Sequence, residues 1–362
     1  MTQSASLNHF WLKNSIFDLT LFQLSAIFCL AFMIPWYIWG QEATIPVYNF
    51  YLVFFGIPHN FLTWASFVGK HSDQDYHLKP VTTAAAVCAV ICLIMYLNPA
   101  TELESWILSV ITYASLWHAY RQHHGICKVY DTVQSERLGD GTIFNDRKLL
   151  NLGFGLCIFS SLVWLCTHEE VKFLLSAEDQ YKLIYPRLSF DFFIAWLSVS
   201  VVVFLSGFFC LWYKRRKKGL WMPWPQIVLM IMALATYSVP FALLPLEALP
   251  IGVAIATMFH NIQYFGFVWI FEKTRGVIRS EEKKPLRLME RFAVGKKWHL
   301  FLGIAFAYSL LMVGLYGVSH SRLILVLIYF LAFAHYIIDG LIWRPKVNLK
   351  LSAVLKSLAR YS

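Results

Sequence analysis

The sequence predicts an all-α, polytopic integral membrane protein of about ten transmembrane helices, with N- and C-termini cytoplasmic. Three observations predict it. The chain is 58% hydrophobic, 17% aromatic and only 14% charged, whereas soluble domains are nearer half apolar and a quarter charged. Apolar runs long enough to span a hydrocarbon core, about 18 residues or more, recur along the whole length. Lys and Arg then fall in alternate loops, the pattern of cytoplasmic connections. Alternating ten-residue segments of the β-barrel kind are absent. The opening MTQSASLNHFWLKNS has neither the short apolar core nor the small-residue cleavage site of a signal peptide.

The spans are expected at about 17–40, 45–68, 80–98, 104–125, 147–167, 189–213, 226–245, 249–272, 299–317 and 323–343, in one domain over 1–362. The loops justify them in order. After the second span come Lys70 and Lys79. After the fourth come Lys128, Arg137, Arg147 and Lys148, and after the sixth KRRKK at 214–218. After the eighth comes a basic stretch from Lys273 to Lys297, expected to be a solvated loop. The tail after the tenth carries Arg344, Lys346, Lys350, Lys356 and Arg360. The loops after the first, third and seventh spans hold only the acids Glu42, Glu102, Glu104 and Glu247; the ninth is followed by Arg322 alone, and 168–188 is mixed. The net charge of +10 is thereby assigned to cytoplasmic loops, and no nucleic-acid partner is expected. Seven cysteines, mostly inside apolar runs and without a CxxC pair, point to small buried hydrophobes rather than a disulfide framework or thiolate zinc site.

Twelve histidines are unevenly placed. His59, His118, His260 and His335 lie in the second, fourth, eighth and tenth spans, each in the half nearer the basic loops. His59 precedes Lys70, His260 precedes Lys273 and His335 precedes Arg344 by 9 to 13 residues, which at about 1.5 Å per residue gives depths of roughly 13–20 Å. His118 precedes Lys128 by 10 residues, with Arg121 nearer and a shallower depth open to it, and four helices thus present a histidine in one layer. One helical turn on, each has a polar neighbour on its own stripe: Thr63, Gln122, Tyr264 and Asp339. Asp339, in HYIID, stands in an otherwise apolar helix, where a carboxylate needs a cation, a partner or a proton. His123 and His124 follow in RQHHG, turned by about 140° and 240° from His118 on an ideal helix. Either would share the His118 centre only if the helix unwound before Gly125. KHSDQDYH adds His71, His77 and Asp75 as further candidates. Gly56 and Pro58 beside His59 read as a kink. Asn261 faces away and reads as an interhelical hydrogen-bonder. His9, His168, His299 and His320 lie at span edges and read as structural.

The expected metal ligands are thus His59, His118, His123, His124, His260, His335 and Asp339, with Thr63, Gln122, Gln263 and Tyr264 orienting them or touching substrate. Neutral imidazoles with one carboxylate suit iron, zinc, copper or manganese. One or two iron ions are expected, with copper, zinc or haem as alternatives. A b-type haem protein would use the histidines as axial pairs. A transporter would spread polar residues through the full depth, yet the opposite halves of these spans (VYNFYLVFF, WILSVITYASL, PIGVAIATM, LILVLIYFLAF) are apolar.

These histidine-bearing spans give the chain a broad resemblance to integral-membrane, histidine-rich non-haem iron enzymes: alkane hydroxylases, fatty-acid desaturases and lipid hydroxylases. WHAYRQHHG is its nearest counterpart to their histidine boxes, with a different spacing. GIPHNFLTW (56–64) is similar to the Gly-x-Pro-His segment of bacterial membrane β-carotene cleaving dioxygenases. WHAYRQHHG, FHNIQYFGFVW and HYIIDGLIWR together resemble a bacterial multi-spanning membrane family, which implies an inner-membrane location. The resemblance implies oxygen-dependent oxidation of a lipid or other apolar small molecule, with a cytoplasmic electron donor docked on the basic face.

Overall fold

The computed structural model describes residues 11–68, 78–98, 102–138, 147–174, 180–319, 321–344, 348 and 350–361. Helix accounts for almost all of it. The long helices are α1 (15–39), α2 (44–68), α3 (Leu78–Leu97), α4 (Glu102–Leu138), α5 (Lys148–Leu165), α6 (Phe190–Lys217), α7 (Trp224–Leu243), α8 (Leu249–Glu281), α10 (Trp298–Ser319) and α11 (Arg322–Ile342). Two shorter ones are α9 (Leu288–Val294) and α12 (Leu351–Tyr361). Among the described residues, eight stretches are long and apolar enough to cross a membrane. The first, Ser15–Ser66, is 52 residues long and folds into two arms. Gly40 has φ 60° and ψ −138°, a conformation open to a residue without Cβ. Phe28 then lies 6.4 Å from Phe55 and Phe32 lies 5.2 Å from Phe50, ring to ring, so α1 and α2 run antiparallel. The helix over the fourth expected span, α4, is not among the eight stretches, because its apolar run, 106–116, is short and flanked by Glu102 and Glu104 on one side and by His118 and Arg121 on the other.

The bundle has an inside and an outside. The apolar window of α8 is 83% buried, against 17% for α6. So α8 runs through the middle, while α6 turns Val199, Val202 and Phe209 outward. Apolar side chains on an outer face are what a helix in lipid requires. The α5–α6 pair is especially close: a Cβ on Gly153 would lie 2.4 Å from the Phe204 backbone, and one on Gly207 2.4 Å from the Leu150 backbone. Small residues at a crossing let helix backbones approach where no hydrophobic force drives them together.

Four stretches differ from the sequence expectation. Helix α4 continues to Leu138 because its polar extension is packed against α12: Arg137 donates to the carbonyls of Ala359 and Trp11. The α12 segment, expected to be a charged tail, buries Leu351, Val354 and Leu358, a spacing that lines one helix face. The stretch 273–298 is not a solvated loop. Helix α8 extends to Glu281, and Glu290 of α9 sits between Arg275 and Arg279, each at 3.2 Å, with all three side chains buried. The mixed connection 168–188 contains an antiparallel pair, β1 (Lys172–Leu174) and β2 (Gln180–Lys182), with Phe173 opposite Tyr181. Arg147, expected as a loop charge, is also buried. It pairs with Asp131 and Gln226, joining α4, α5 and α7.

A candidate metal centre of buried histidines

Helices α2, α4, α8 and α11 bring His59, His118, His260 and His335 together. Ring centroids are 4.4 Å apart for His59 and His335, 4.8 Å for His118 and His335, 4.9 Å for His59 and His260, 5.0 Å for His118 and His260, and 6.2 Å for His59 and His118. All four are buried, none more than 5% exposed. One ring nitrogen from each of His59, His118 and His260 lies within 4.8 Å of the other two. Nitrogens at about 2.1 Å from one ion lie at most about 4.2 Å apart, so small ring rotations close the set. His335 Nε2 stands 3.2 Å from His118 Nε2. This histidine cluster is able to hold a metal ion.

Local sequence explains how the rings get there. Pro58 has no N–H to donate to the preceding turn, and the chain before it, Leu52–Gly56, winds as a π-helix. Such single-turn widenings recur at functional sites; here one precedes His59, where Gly56 and Pro58 were expected to kink. His260 needs no such device, because α8 is buried over most of its surface.

Three buried histidine rings carry a nitrogen without a hydrogen-bond partner, His123 through its Nε2 among them. Neither nitrogen of His59 has a hydrogen-bond partner, nor does Nδ1 of His260. Buried polar atoms without a partner are uncommon and call for a ligand, ion or water.

The neighbours one turn on do not serve the histidine of their own helix; they cross to another. Thr63, expected beside His59, has its hydroxyl 2.8 Å from His335 Nδ1 and 2.7 Å from the Tyr264 hydroxyl. Gln122, expected beside His118, donates to the His260 carbonyl at 2.9 Å. Tyr264 donates to Asp339 Oδ1 at 2.8 Å, and its ring packs 4.3 Å from that of His59. Asp339 is buried inside α11, not at a solvated helix end. It also accepts from Trp343 Nε1 at 2.8 Å, and its Oδ2 lies 3.9 Å from His118 Nε2. A continuous chain thus runs Trp343, Asp339, Tyr264, Thr63, His335, His118.

His123 and His124 part ways. Helix α4 is unbroken through Gly125, so the unwinding that would have brought them to the His118 centre does not occur. His123 lies on the far side of His260, centroids 5.9 Å apart, with Nδ1 2.7 Å from Gln263 Oε1. Gln263 in turn donates to the Phe22 carbonyl at 3.0 Å. His124 stacks on Tyr120 at 5.9 Å with the planes 12° apart and is not brought into the cluster. His71, His77 and Asp75 lie outside the described residues.

Beside the cluster is a cavity of about 190 Å³, which sequence reasoning did not anticipate. It reaches His59, His118 and His260 at one end and runs towards the N-terminal ends of their helices, between Tyr51, Ile111, Thr257 and Tyr329. The apolar half-helices quoted above line it; their lack of charge was the only signal in the sequence. Comparison with protein-family models, curated proteins and solved structures finds no match.

Proposed function

We propose that the chain is a membrane-embedded, histidine-ligated metalloenzyme, with non-haem iron, that catalyses oxygen-dependent oxidation of a lipid or other apolar substrate. One observation carries the reading: three buried imidazoles with mutually close donor atoms face a largely apolar cavity, and His59 has no other partner. His59, His118 and His260 would hold the ion, with His335 joining through the side it shares with His118. Iron bound there would supply oxygen activation, chemistry no side chain in the site can provide. Asp339, Tyr264 and Thr63 would fix the ring orientations of His118 and His335, as outer hydrogen-bonding partners of metal ligands do. The cavity walls would hold the substrate against the centre and exclude water.

The positive-inside pattern supports ten spans with both termini cytoplasmic and the centre nearer the cytoplasmic face. An electron donor would dock on that basic face, and the bacterial inner membrane is the location we assign. A haem reading is less well supported, since a macrocycle would have to pass among rings whose centroids lie 4.4–6.2 Å apart. A transporter reading is opposed by the charge-free cavity on one side of the cluster.

The test is oxygen uptake by iron-reconstituted protein in lipid nanodiscs, supplied with a chemical reductant and an apolar lipid extract. Uptake that depends on the extract and is lost in His59→Ala supports an oxygenase. Metal binding without uptake, but with metal flux in proteoliposomes, would establish the transporter instead.

A further inference from the structure

The walls of the cavity point to what occupies it. Among the described residues no Lys, Arg, Asp or Glu lines it; the ionisable side chains there are histidines at one end and tyrosines along the sides. A carboxylate, phosphate or ammonium held along these walls would lose its hydration without gaining a counter-charge from any side chain there, which is expensive. The volume, about 190 Å³, slightly exceeds the roughly 150 Å³ engineered cavity that accepts benzene. It holds a short length of hydrocarbon, not a lipid headgroup. Small side chains, Ala119, Ser115 and Ala332, keep the space open. At the far end Asn49 is exposed and Tyr48 partly so, so the space opens on the bundle surface. The exposed side chains next along the helix, Phe50 and Phe54, are apolar, as an opening onto acyl chains rather than water requires.

We propose that the cavity binds an uncharged alkyl or alkenyl chain end-first, with the chain terminus against His59, His118 and His260 and any polar group left outside. The identity of the reacting centre rests on the metalloenzyme reading; the binding itself does not require it. The site therefore selects neutral long-chain hydrocarbons or alcohols over ionised fatty acids. It also places a carbon at or near the free end of the chain, not one beside a headgroup, next to the histidines.

The test is photolabelling of the full-length protein in nanodiscs with dodecan-1-ol carrying a terminal diazirine, mapped by peptide mass spectrometry. Labelling is expected in peptides spanning 108–119, 253–261 and 325–336. Excess dodecane should suppress it and excess dodecanoate should not. Ala332→Phe fills the space and should lower the labelling about tenfold, a modest loss of binding free energy. Ser115→Phe provides a second blocked variant should the first fail to fold. Metal content, read on the same samples, separates the two ideas: metal-free protein that still shows competed labelling would remove the metalloenzyme reading and leave this one standing. Labelling confined to outward-facing peptides such as those of α6, or equal competition by dodecanoate, would overturn the proposal.

Discussion

His118 and His335 face each other through their Nε2 atoms at 3.2 Å. Two nitrogens that close either share a proton or share an ion. Ligands at about 2.1 Å on one tetrahedral or octahedral ion are about 3.0–3.4 Å apart, the same range. His335 Nδ1 is committed to Thr63, so Nε2 is the atom left to face the centre. The two rings come from α11 and α4, far apart in sequence, and an ion between them would add a tie to helices that also meet at Arg322 and Glu104, 3.0 Å apart.

Thr63 is the joint between that pair and the carboxylate. Thr63→Val keeps the shape and removes the hydroxyl that meets both His335 and Tyr264. Each buried polar atom left alone costs about 1–3 kcal/mol. We expect a folded protein with lower thermal stability and metal affinity reduced about 10–100-fold, read by metal titration. Thr63→Ser should restore most of both. Unchanged affinity in the valine variant would show that the ring of His335 is oriented without Thr63.

Asp339→Asn tests the charge separately from the shape. The amide oxygen can still accept from Tyr264 and Trp343, so the packing should survive. The negative charge 3.9 Å from His118 Nε2 is lost. The expected result is correctly inserted protein with about 10–100-fold weaker metal binding or turnover. Full metal occupancy with unchanged turnover would remove Asp339 from the account.

His124 and His59 make a contrasting pair. His124→Ala removes a ring that stacks on Tyr120 and should leave metal content at the wild-type level. His59→Ala removes a ring whose two nitrogens have no other partner and should abolish it. Elemental analysis of the two purified variants distinguishes them; equal losses would mean that His124 reaches the centre.

The α5–α6 crossing carries none of the four clustered histidines, and so provides a control on the fold. Gly207→Leu would place its Cβ 2.4 Å from the Leu150 backbone, and overpacking of this kind typically costs about 1–3 kcal/mol. We expect a lower unfolding temperature in detergent, with metal stoichiometry unchanged in the fraction that remains folded. A stability equal to wild type would show that the two helices can separate without cost.

Much of the architecture was legible because long apolar helices make simple demands on sequence. Apolar runs marked the positions of the long helices, and the depth of four histidines below the basic flanks pointed to one layer. Asp339 stood out because a carboxylate in LILVLIYFLAFA-like surroundings needs a reason. What was not legible depends on partners distant in the chain. The extension of α4 past Gly125 looks like a loop until α12 covers it. Arg275, Arg279 and Glu290 look like solvated charges until α8 and α9 pack them together. The i and i+4 rule placed Thr63, Gln122, Tyr264 and Asp339 at the right level but with the wrong partners. In a bundle, the residue one turn along reaches the neighbouring helix as readily as its own. The cavity left almost no trace in the sequence, since absence of charge is shared by every lipid-facing surface.

The most direct measurement is the metal content of the protein purified without chelators, alongside His59→Ala and His118→Ala. The account predicts about one or two iron ions per chain in the wild-type protein, lost in both variants while the helical content, read by circular dichroism, is retained. A folded wild-type protein that carries no transition metal as isolated, and takes up none when offered iron, zinc, copper or manganese, would contradict it.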